Sequence, residues 1–187
     1  MTRREFLETS ILGPAAFVLV SAAETKGACG AGGPTPAQTA GPYWKPASPE
    51  RTTLLEPGMA GTRLVLEGAV LGPDCRPVPR ARLDFWQADA RGRYDNAGHT
   101  LRGHQLTDAE GRYRLETVLP GLYPGRTRHI HVIVSAPGYV PLTTQIYFAG
   151  EPGNAADGLW EKALEIPFSG DEATGLQGVF PVVLRPL

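Results

Sequence analysis

Short runs of apolar residues, many of them alternating with polar ones, recur along most of the chain. Alternation with a period of two is typical of β-strands, because successive side chains of a strand point to opposite faces. Turn-forming residues separate the runs, as in Gly72-Pro73-Asp74 and Pro120-Gly121. The segments predicted as strands are 63–71, 82–87, 104–107, 112–116, 129–135, 142–148 and 179–185.

Helical periodicity is visible in one segment, residues 154–164, where Leu159, Trp160 and Ala163 have helical spacing. This segment is expected to form a helical turn or two. Seven or more strands with so little helix predict an all-β chain, arranged as an antiparallel β-sandwich with few short helices.

The first residues have the features of an export signal. Arg3 and Arg4 precede apolar residues, and a short apolar run at 11–20 is followed by small residues. These features predict a twin-arginine signal peptide at 1–28 and export to the periplasm or the extracellular space. The alternative is an amphipathic N-terminal helix of a cytosolic protein. Because the apolar run has about ten residues and a membrane-spanning helix needs about twenty, we expect no stable membrane span.

The residues after the predicted signal divide into a linker and a domain. Residues 29–40 are rich in Gly, Ala, Pro and Thr, which predicts a flexible linker. Residues 41–187 are expected to form one domain, since a chain of 187 residues is short for two. After export, a disulfide between Cys29 and Cys75 is an open alternative. Lipidation at Cys29 is disfavoured, because the residues before it lack the aliphatic side chain usual in a lipoprotein processing site.

Positive and negative side chains are nearly balanced along the chain. There are 18 Lys and Arg against 19 Asp and Glu, for a formal net charge of -1. No basic stripe is present, so the sequence does not support a nucleic-acid-binding surface. The charge favours a small-molecule or protein partner.

Two histidines stand at a spacing that suits a metal site. His129 and His131 are two apart in a predicted strand, so both imidazoles are expected on the same face. Tyr123 and Arg126 complete a stretch of nine residues that also carries a phenol and a guanidinium. Two alternatives stay open at this point: an isolated His-x-His pair can be ordinary strand residues, and imidazoles also suit copper or zinc.

A second tyrosine narrows the choice of metal. Tyr94 follows a predicted strand and a tight turn, and with Tyr123 it offers two phenol oxygens beside the two imidazoles. Tyrosine ionises at about pH 10, so a strongly charged hard cation is needed to hold phenolates at neutral pH. Fe(III) meets that requirement, and two phenolates with one hydroxide would cancel its charge. Taken alone, Tyr94 could instead be a packing residue.

Five short motifs follow one another between about residue 35 and residue 150. They are Thr35-Pro-Ala-Gln-Thr-Ala-Gly-Pro-Tyr43, Trp86-Gln-Ala88 with Gly92-Arg-Tyr94, Pro120-Gly-Leu-Tyr-Pro124, His129-Ile-His131 and Thr144-Gln-Ile-Tyr-Phe148. As a set they resemble the intradiol ring-cleavage dioxygenases, in particular the protocatechuate 3,4-dioxygenase branch. The resemblance implies an Fe(III) enzyme that uses O2 to cleave a catechol-type aromatic between its hydroxyl-bearing carbons, giving a cis,cis-muconate-type product.

The resemblance also assigns roles to individual residues. It implies that Fe(III) is held by four ligands: Tyr94, Tyr123, His129 and His131. Arg126 matches the arginine that stabilises carbanion character on the ring, Gln145 matches its glutamine partner, and Tyr43 matches a substrate-pocket tyrosine. Outside the family context, Arg126 could be a surface charge, Gln145 could face solvent and Tyr43 could be a packing aromatic. His99 and His104 are expected not to be ligands.

One departure from the family affects the substrate. Only five residues separate Tyr123 from His129, and Gly125 stands where the family enzymes carry a tryptophan in a longer loop. The rim of the pocket must therefore differ, which leaves the ring substituent of the substrate open. A homo-oligomer is also left open.

A non-catalytic protein is the main alternative. Residues 107–115, 120–123 and 136–139 also resemble the carboxypeptidase-regulatory or transthyretin-like β-sandwich modules of exported proteins. In such a binding module Tyr123 would be a core residue and the histidines incidental. Because both alternatives predict a sandwich, only the site can decide the function.

Overall fold

The computed structural model of the chain describes residues 32–187. The predicted signal peptide at 1–28 and the hypotheses on Cys29 lie outside the described residues. In the part that is described, no helix is long and apolar enough to cross a membrane.

Within residues 32–187, ten strands form two five-stranded sheets. The strands are β1 (Arg63–Leu71), β2 (Arg82–Trp86), β3 (Arg102–Leu106), β4 (Arg112–Val118), β5 (His129–Ser135), β6 (Leu142–Phe148), β7 (Glu165–Ile166), β8 (Phe168–Asp171), β9 (Gly175–Val179) and β10 (Val182–Val183). One sheet has the order β10-β1-β9-β8, with β4 also paired to β1, and the other has the order β3-β2-β5-β6-β7. The predicted all-β sandwich class is confirmed.

The sheets are mixed rather than purely antiparallel. Strands β9 and β10 both pair with β1 in parallel, and β7 pairs with β6 in parallel. Parallel neighbours need a crossover instead of a hairpin, and the alternation of side chains does not report strand direction. The antiparallel prediction holds for the other pairs: β1–β4, β2–β3, β2–β5, β5–β6 and β8–β9.

The C-terminal third departs most from the predicted elements. The strand predicted at 179–185 is reduced to Val182–Val183, and β7, β8 and β9 precede it. Pro181 separates β9 from β10, and it lacks the N–H that a continuous ladder would need. The helix predicted at 154–164 is also reduced, to two 3₁₀ turns at Asn154–Ala156 and Lys162–Leu164. Asp157 stops the first turn, because its backbone is extended at φ -86° and ψ 112°.

Strand β5 is buried on both of its faces. Ile130, Val132 and Val134 belong to the hydrophobic core. The alternate residues His129 and His131 are only 4% and 3% exposed. As predicted from the spacing, the two histidines therefore share the face that points away from that core.

An N-terminal segment, residues 35–43, runs along the sandwich and is called the strap below. Thr35 exchanges hydrogen bonds with Val183, since its N–H donates to the Val183 carbonyl and its Oγ1 accepts from the Val183 N–H. The N–H of Gln38 donates to the carbonyl of Thr143 at 2.7 Å. Because β7 pairs only with the last two residues of β6, the first half of β6 is an open edge that the strap fills. The linker predicted at 29–40 overlaps this hydrogen-bonded strap from residue 35 onward.

Candidate metal centre

Four predicted ligands come together at one end of the second sheet. His129 and His131 begin β5, Tyr94 lies in the loop after β2, and Tyr123 lies in the loop between β4 and β5. The rings of the two histidines are 4.8 Å apart, and those of the two tyrosines 5.7 Å apart. The Tyr94 hydroxyl lies 3.2 Å from His129 Nε2. Residues from three parts of the chain thus bring two phenols and two imidazoles together.

Tyr43 joins this cluster from the end of the strap. Its ring stacks on Tyr94 with 4.4 Å between centroids and meets Tyr123 edge-on. The hydroxyls of Tyr43 and Tyr123 are 2.6 Å apart, so one donates a hydrogen bond to the other. The structure therefore places Tyr43 in contact with both tyrosines that were predicted as ligands.

The protonation of His129 is set by the backbone. Its Nδ1 lies 2.7 Å from the carbonyl of Thr127, which can only accept, so Nδ1 carries the proton. This tautomer leaves the lone pair of Nε2 free on the side of Tyr94. Burial, opposed in part by the Thr127 hydrogen bond, lowers the pKa of His129 to about 4. The imidazole is consequently neutral at neutral pH, as a metal ligand must be.

His131 lies between an aromatic ring and the strap. Its imidazole stacks on Trp86, with centroids 4.7 Å apart and planes within 5°. Gly41 in the strap has φ +66°, and a Cβ there would lie 3.7 Å from His131 Cε1. Burial first, then the charges of His129 and Arg126, lowers the pKa of His131. Its buried Nδ1 has no hydrogen-bond partner among the described residues.

The phenol of Tyr94 needs a cation to ionise. Burial raises its pKa, and the nearby guanidinium groups of Arg126 and Arg102 offset only part of that shift. Within residues 32–187, no group of three His, Cys, Asp or Glu side chains is positioned to hold a metal ion. The donors are two neutral imidazoles and two phenols, so a carboxylate-based Fe(II) triad is not available here. This donor set fits Fe(III), whose charge can hold phenolates.

Arg126 is held beside the cluster by three side chains. Its Nε donates to both carboxylate oxygens of Asp157, at 2.8 and 3.0 Å. One terminal nitrogen donates to Gln145 Oε1 at 2.7 Å and to the Tyr147 hydroxyl at 3.2 Å. The structure thus places Gln145 in direct contact with Arg126, as the family resemblance led us to expect.

Asp157 was not predicted from the sequence. Its side chain is 2% exposed, and besides Arg126 it accepts a hydrogen bond from the N–H of Thr127. Burial raises its pKa, but hydrogen bonds from the Leu159 and Thr127 N–H groups and from Arg126 outweigh that and lower it overall. Asp157 lies in a loop of irregular structure, where no periodicity marks it. The sequence did indicate that an arginine in a buried site needs an acidic partner. It did not indicate which Asp or Glu that partner would be.

A second arginine, also not predicted, joins the strap to the Tyr94 loop. Arg102 is 2% exposed. It donates to the carbonyl of Tyr43 at 2.6 Å and to that of Asp95 at 2.9 and 3.1 Å. Asp95 follows Tyr94 directly, so Arg102 fixes the backbone beside both tyrosines.

The loops that carry Tyr94 and Tyr123 pack closely through a glycine. Gly92 has φ +79°, and a Cβ there would lie 2.0 Å from the carbonyl oxygen of Leu122. A larger residue would have to push the two loops apart.

The other two histidines, His104 and His99, lie outside the cluster. The Nδ1 of His104 lies 2.8 Å from the Ser48 carbonyl, and the carbonyl of His99 accepts a hydrogen bond from Arg51.

Comparison with known proteins agrees with this site. A family profile described as dioxygenase matches residues 39–163, more than half of the chain. Catechol 1,2-dioxygenase of Acinetobacter baylyi is 31% identical over 147 residues, which cover 63% of this chain and 47% of that protein. The protocatechuate 3,4-dioxygenase beta chain of Burkholderia cepacia is 37% identical over 119 residues, covering 54% of this chain and 51% of that protein.

A solved structure covers more of the chain. It is the dioxygenase domain of a dioxygenase carbohydrate-binding protein fusion from Streptomyces sp. SirexAA-E, with a TM-score of 0.78 and 50% identity. The match covers 82% of this chain and 99% of that domain. The chain belongs to the intradiol dioxygenase family. It spans about half the length of the curated relatives it matches.

Proposed function

We propose that this chain is a non-haem Fe(III) intradiol dioxygenase that inserts O2 between the hydroxyl-bearing carbons of a catechol-type aromatic. The product would be a cis,cis-muconate-type diacid. The observation that carries the proposal is the convergence of two phenols and two neutral imidazoles beside a fixed guanidinium. Family membership supports the same reaction, since named relatives act on catechol and protocatechuate.

The four proposed ligands are Tyr94, Tyr123, His129 and His131. Fe(III) bound there would supply a strong positive charge that favours the ionised catechol and makes its ring reactive toward O2. The Thr127 carbonyl orients the His129 ring through Nδ1, and Trp86 holds the His131 ring by stacking. These supports would keep both imidazoles turned toward the centre.

Arg126 is proposed to stabilise negative charge on the substrate ring. Asp157 fixes its Nε and Gln145 fixes a terminal nitrogen, so the guanidinium is preorganised before the substrate arrives. Tyr43 is proposed to line the substrate pocket. Its hydroxyl contact with Tyr123 would hold a proton shared between the two phenols at the point where a catechol must lose one.

The particular catechol is the finer part of the proposal. Relatives named for catechol, protocatechuate and hydroxyquinol all match this chain, so they do not favour one ring substituent. Oxygen uptake with each of the three compounds would rank them. The short segment between Tyr123 and His129 is where we expect the preference to be determined, because it borders a proposed ligand on both sides.

The alternative, a binding module without catalysis, explains the sandwich equally well. It gives no reason for Tyr94 to meet His129, or for a buried Asp157–Arg126 pair to lie beside them. The matched family profile also favours the enzyme.

Colour and oxygen uptake together test the proposal. Purified iron-replete protein should be burgundy, because phenolate-to-Fe(III) charge transfer absorbs visible light, and it should consume O2 with catechols. Tyr94→Phe or His131→Ala should remove the colour. Tyr113→Phe is the matched control. Tyr113 is buried in the core and its hydroxyl donates a hydrogen bond to the Phe180 carbonyl, so this variant should keep the colour. A colourless, iron-free wild type that is inert to all three catechols would refute the proposal.

Arg126→Ala separates metal binding from catalysis. It should retain iron and colour while losing turnover, because the guanidinium is assigned to the substrate and not to the metal. Loss of iron with unchanged activity per iron would show that this role is wrong.

We also propose that the chain is exported by the twin-arginine route, on the strength of its first residues alone. Replacing Arg3 and Arg4 with lysine should move a tagged protein from the periplasm or medium into the cytoplasmic fraction. An unchanged distribution would contradict export by this route.

A further inference from the structure

The strap reaches the hydrogen-bond network of Arg126 at two points: the side chain of Gln38 contacts Tyr147, and the carbonyl of Thr39 accepts a hydrogen bond from Gln145 Nε2 at 3.1 Å. The Tyr147 hydroxyl lies 2.7 Å from Gln38 Oε1. The Nε2 of Gln38 donates to the carbonyl of Leu159 at 2.6 Å. Tyr147 itself is fully buried and contacts Arg126 at 3.2 Å. A residue of the N-terminal segment is therefore one hydroxyl away from the guanidinium proposed to act on the substrate.

The Tyr147 hydroxyl has more acceptors than protons. Besides Gln38 Oε1, the carbonyl of Leu159 lies 2.9 Å away and Gln145 Oε1 lies 3.2 Å away. A phenol has a single O–H to donate. Gln38 is the nearest acceptor, and its own amide also donates to the Leu159 carbonyl. While Gln38 is present, the proton points to the strap, and the lone pairs of the hydroxyl face Arg126.

Removal of Gln38 would redirect that proton. Two acceptors would remain: the Leu159 carbonyl at 2.9 Å, to which Gln38 would no longer donate, and Gln145 Oε1 at 3.2 Å, which already accepts the 2.7 Å hydrogen bond from Arg126. Donation from Tyr147 to Gln145 would make the phenol and the guanidinium share one acceptor oxygen. With either acceptor, the hydroxyl that Arg126 contacts would no longer be fixed by the strap, so the preorganisation of the guanidinium charge would weaken.

We propose that Gln38 is a positioning residue for catalysis, which acts on Arg126 through the Tyr147 hydroxyl. The inference rests on the proposed function, because it assigns Gln38 to the same reaction. The start of the strap is anchored independently of this network, at Thr35 by Val183 and at Pro36 by the Thr144 hydroxyl. These anchors allow the role of Gln38 to be separated from the mere attachment of the strap.

The first test compares two substitutions in the strap. Gln38→Ala should lower kcat about tenfold and leave KM within about twofold, with iron content and colour unchanged. Thr35→Val removes the bond from the Val183 N–H without touching the Arg126 network. It should leave kcat at the wild-type value. Equal losses of kcat in both variants would overturn the proposal, because they would show that Gln38 only attaches the strap.

A double-mutant cycle tests the route through Tyr147. Tyr147→Phe removes the hydroxyl, so adding Gln38→Ala to it should cause less than a twofold further loss of kcat. A further tenfold loss would show that Gln38 does not act through Tyr147, and would overturn the proposal. The melting temperatures of the four proteins provide a second reading of the same coupling that does not depend on activity.

A conservative variant guards against misfolding of Gln38→Ala. Gln38→Glu keeps an oxygen for the Tyr147 proton, but it loses the donor to Leu159 and adds a negative charge, so kcat should fall less than in Gln38→Ala. A loss as large as that of alanine would overturn the assigned acceptor role. A wild type that is colourless and inert would instead refute the proposed function, whereas an active wild type that Gln38→Ala leaves unchanged would refute this inference alone.

Discussion

A single buried carboxylate, that of Asp157, orients the guanidinium on which the proposed reaction depends. It takes both contacts from Arg126 Nε and also holds the N–H of Thr127, whose carbonyl sets the tautomer of His129. Asp157 therefore helps to position both the guanidinium of Arg126 and, through Thr127, the imidazole of His129. Charge-assisted hydrogen bonds of this kind are about twice as strong as neutral ones.

Asp157→Asn should reduce turnover and leave the metal in place. The amide keeps one acceptor oxygen, but it loses the negative charge and offers an N–H donor where Arg126 also donates. We expect kcat to fall about tenfold to a hundredfold, with iron content and colour at wild-type levels. Steady-state oxygen uptake with iron determination checks this. Glu172→Gln, on an exposed residue after β8, is the control and should change neither quantity.

The same substitution should change the acid sensitivity of the fold. The pKa of Asp157 is lowered in the folded chain, so its contribution to stability is present above the ordinary carboxyl pKa of about 4 and is lost as pH falls through the lowered value. The Asn variant has no such contribution to lose. Its melting temperature should therefore decline less than that of the wild type between about pH 5 and pH 2. A parallel decline would show that Asp157 does not contribute to acid sensitivity.

The sequence predicted the grouping of His129, His131, Tyr94 and Tyr123 but not the residues that support it. A period of two predicted both histidines on one face of a strand. The two tyrosines were assigned as ligands because the ordered motifs that contain them resemble the family. Asp157 and Arg102 were missed, because which distant backbone a buried guanidinium contacts depends on tertiary structure. The position of neither residue in the sequence indicates which group it contacts.

At the scale of elements, the site is assembled from one strand, two loops and the strap. Strands with clear alternation, such as β1, β5 and β6, begin and end where the sequence predicted. The short strands β7 to β9 were missed, because runs of two to five residues with several glycines carry too little periodicity. The strap was missed for a different reason. It fills the open edge of β6, and that edge exists only once the sheet has formed.

We expect Arg102 to stabilise the attachment of the strap to the loop that carries Tyr94. Arg102→Met leaves the carbonyls of Tyr43 and Asp95 without their donor, which should lower the free energy of unfolding by about 2–4 kcal/mol. The colour of the iron-loaded protein should weaken as well, because Asp95 follows Tyr94. Chemical denaturation and visible absorbance measure the two effects. Arg91→Met, on the exposed surface, should change stability by no more than about 0.5 kcal/mol, and equal losses in both variants would contradict the role of Arg102.

In the molecule as a whole, the two sheets have different roles: one carries site residues and the other contributes to the hydrophobic core. The predicted site residues with strand positions lie on the second sheet, where β5 carries the histidines and β6 carries Gln145. The first sheet contributes the other side of the hydrophobic core, through residues such as Leu64 and Leu66. A change confined to the first sheet should therefore lower stability without altering the chemistry of the folded enzyme.

Gly68 in β1 tests this division. A Cβ at this position would lie 2.2 Å from the Phe180 carbonyl oxygen and 2.8 Å from the Tyr113 ring, so Gly68→Ala must displace the segment after β9. We expect a loss of about 1–3 kcal/mol in the free energy of unfolding, as for other overpacked sites. Colour and kcat per bound iron should stay at wild-type values, because the strain falls on the sheet that carries none of the proposed ligands. Val179→Ala, on a side chain that is 63% exposed, is the control and should be nearly neutral. Loss of iron from Gly68→Ala protein that is still folded would show that the first sheet also shapes the site.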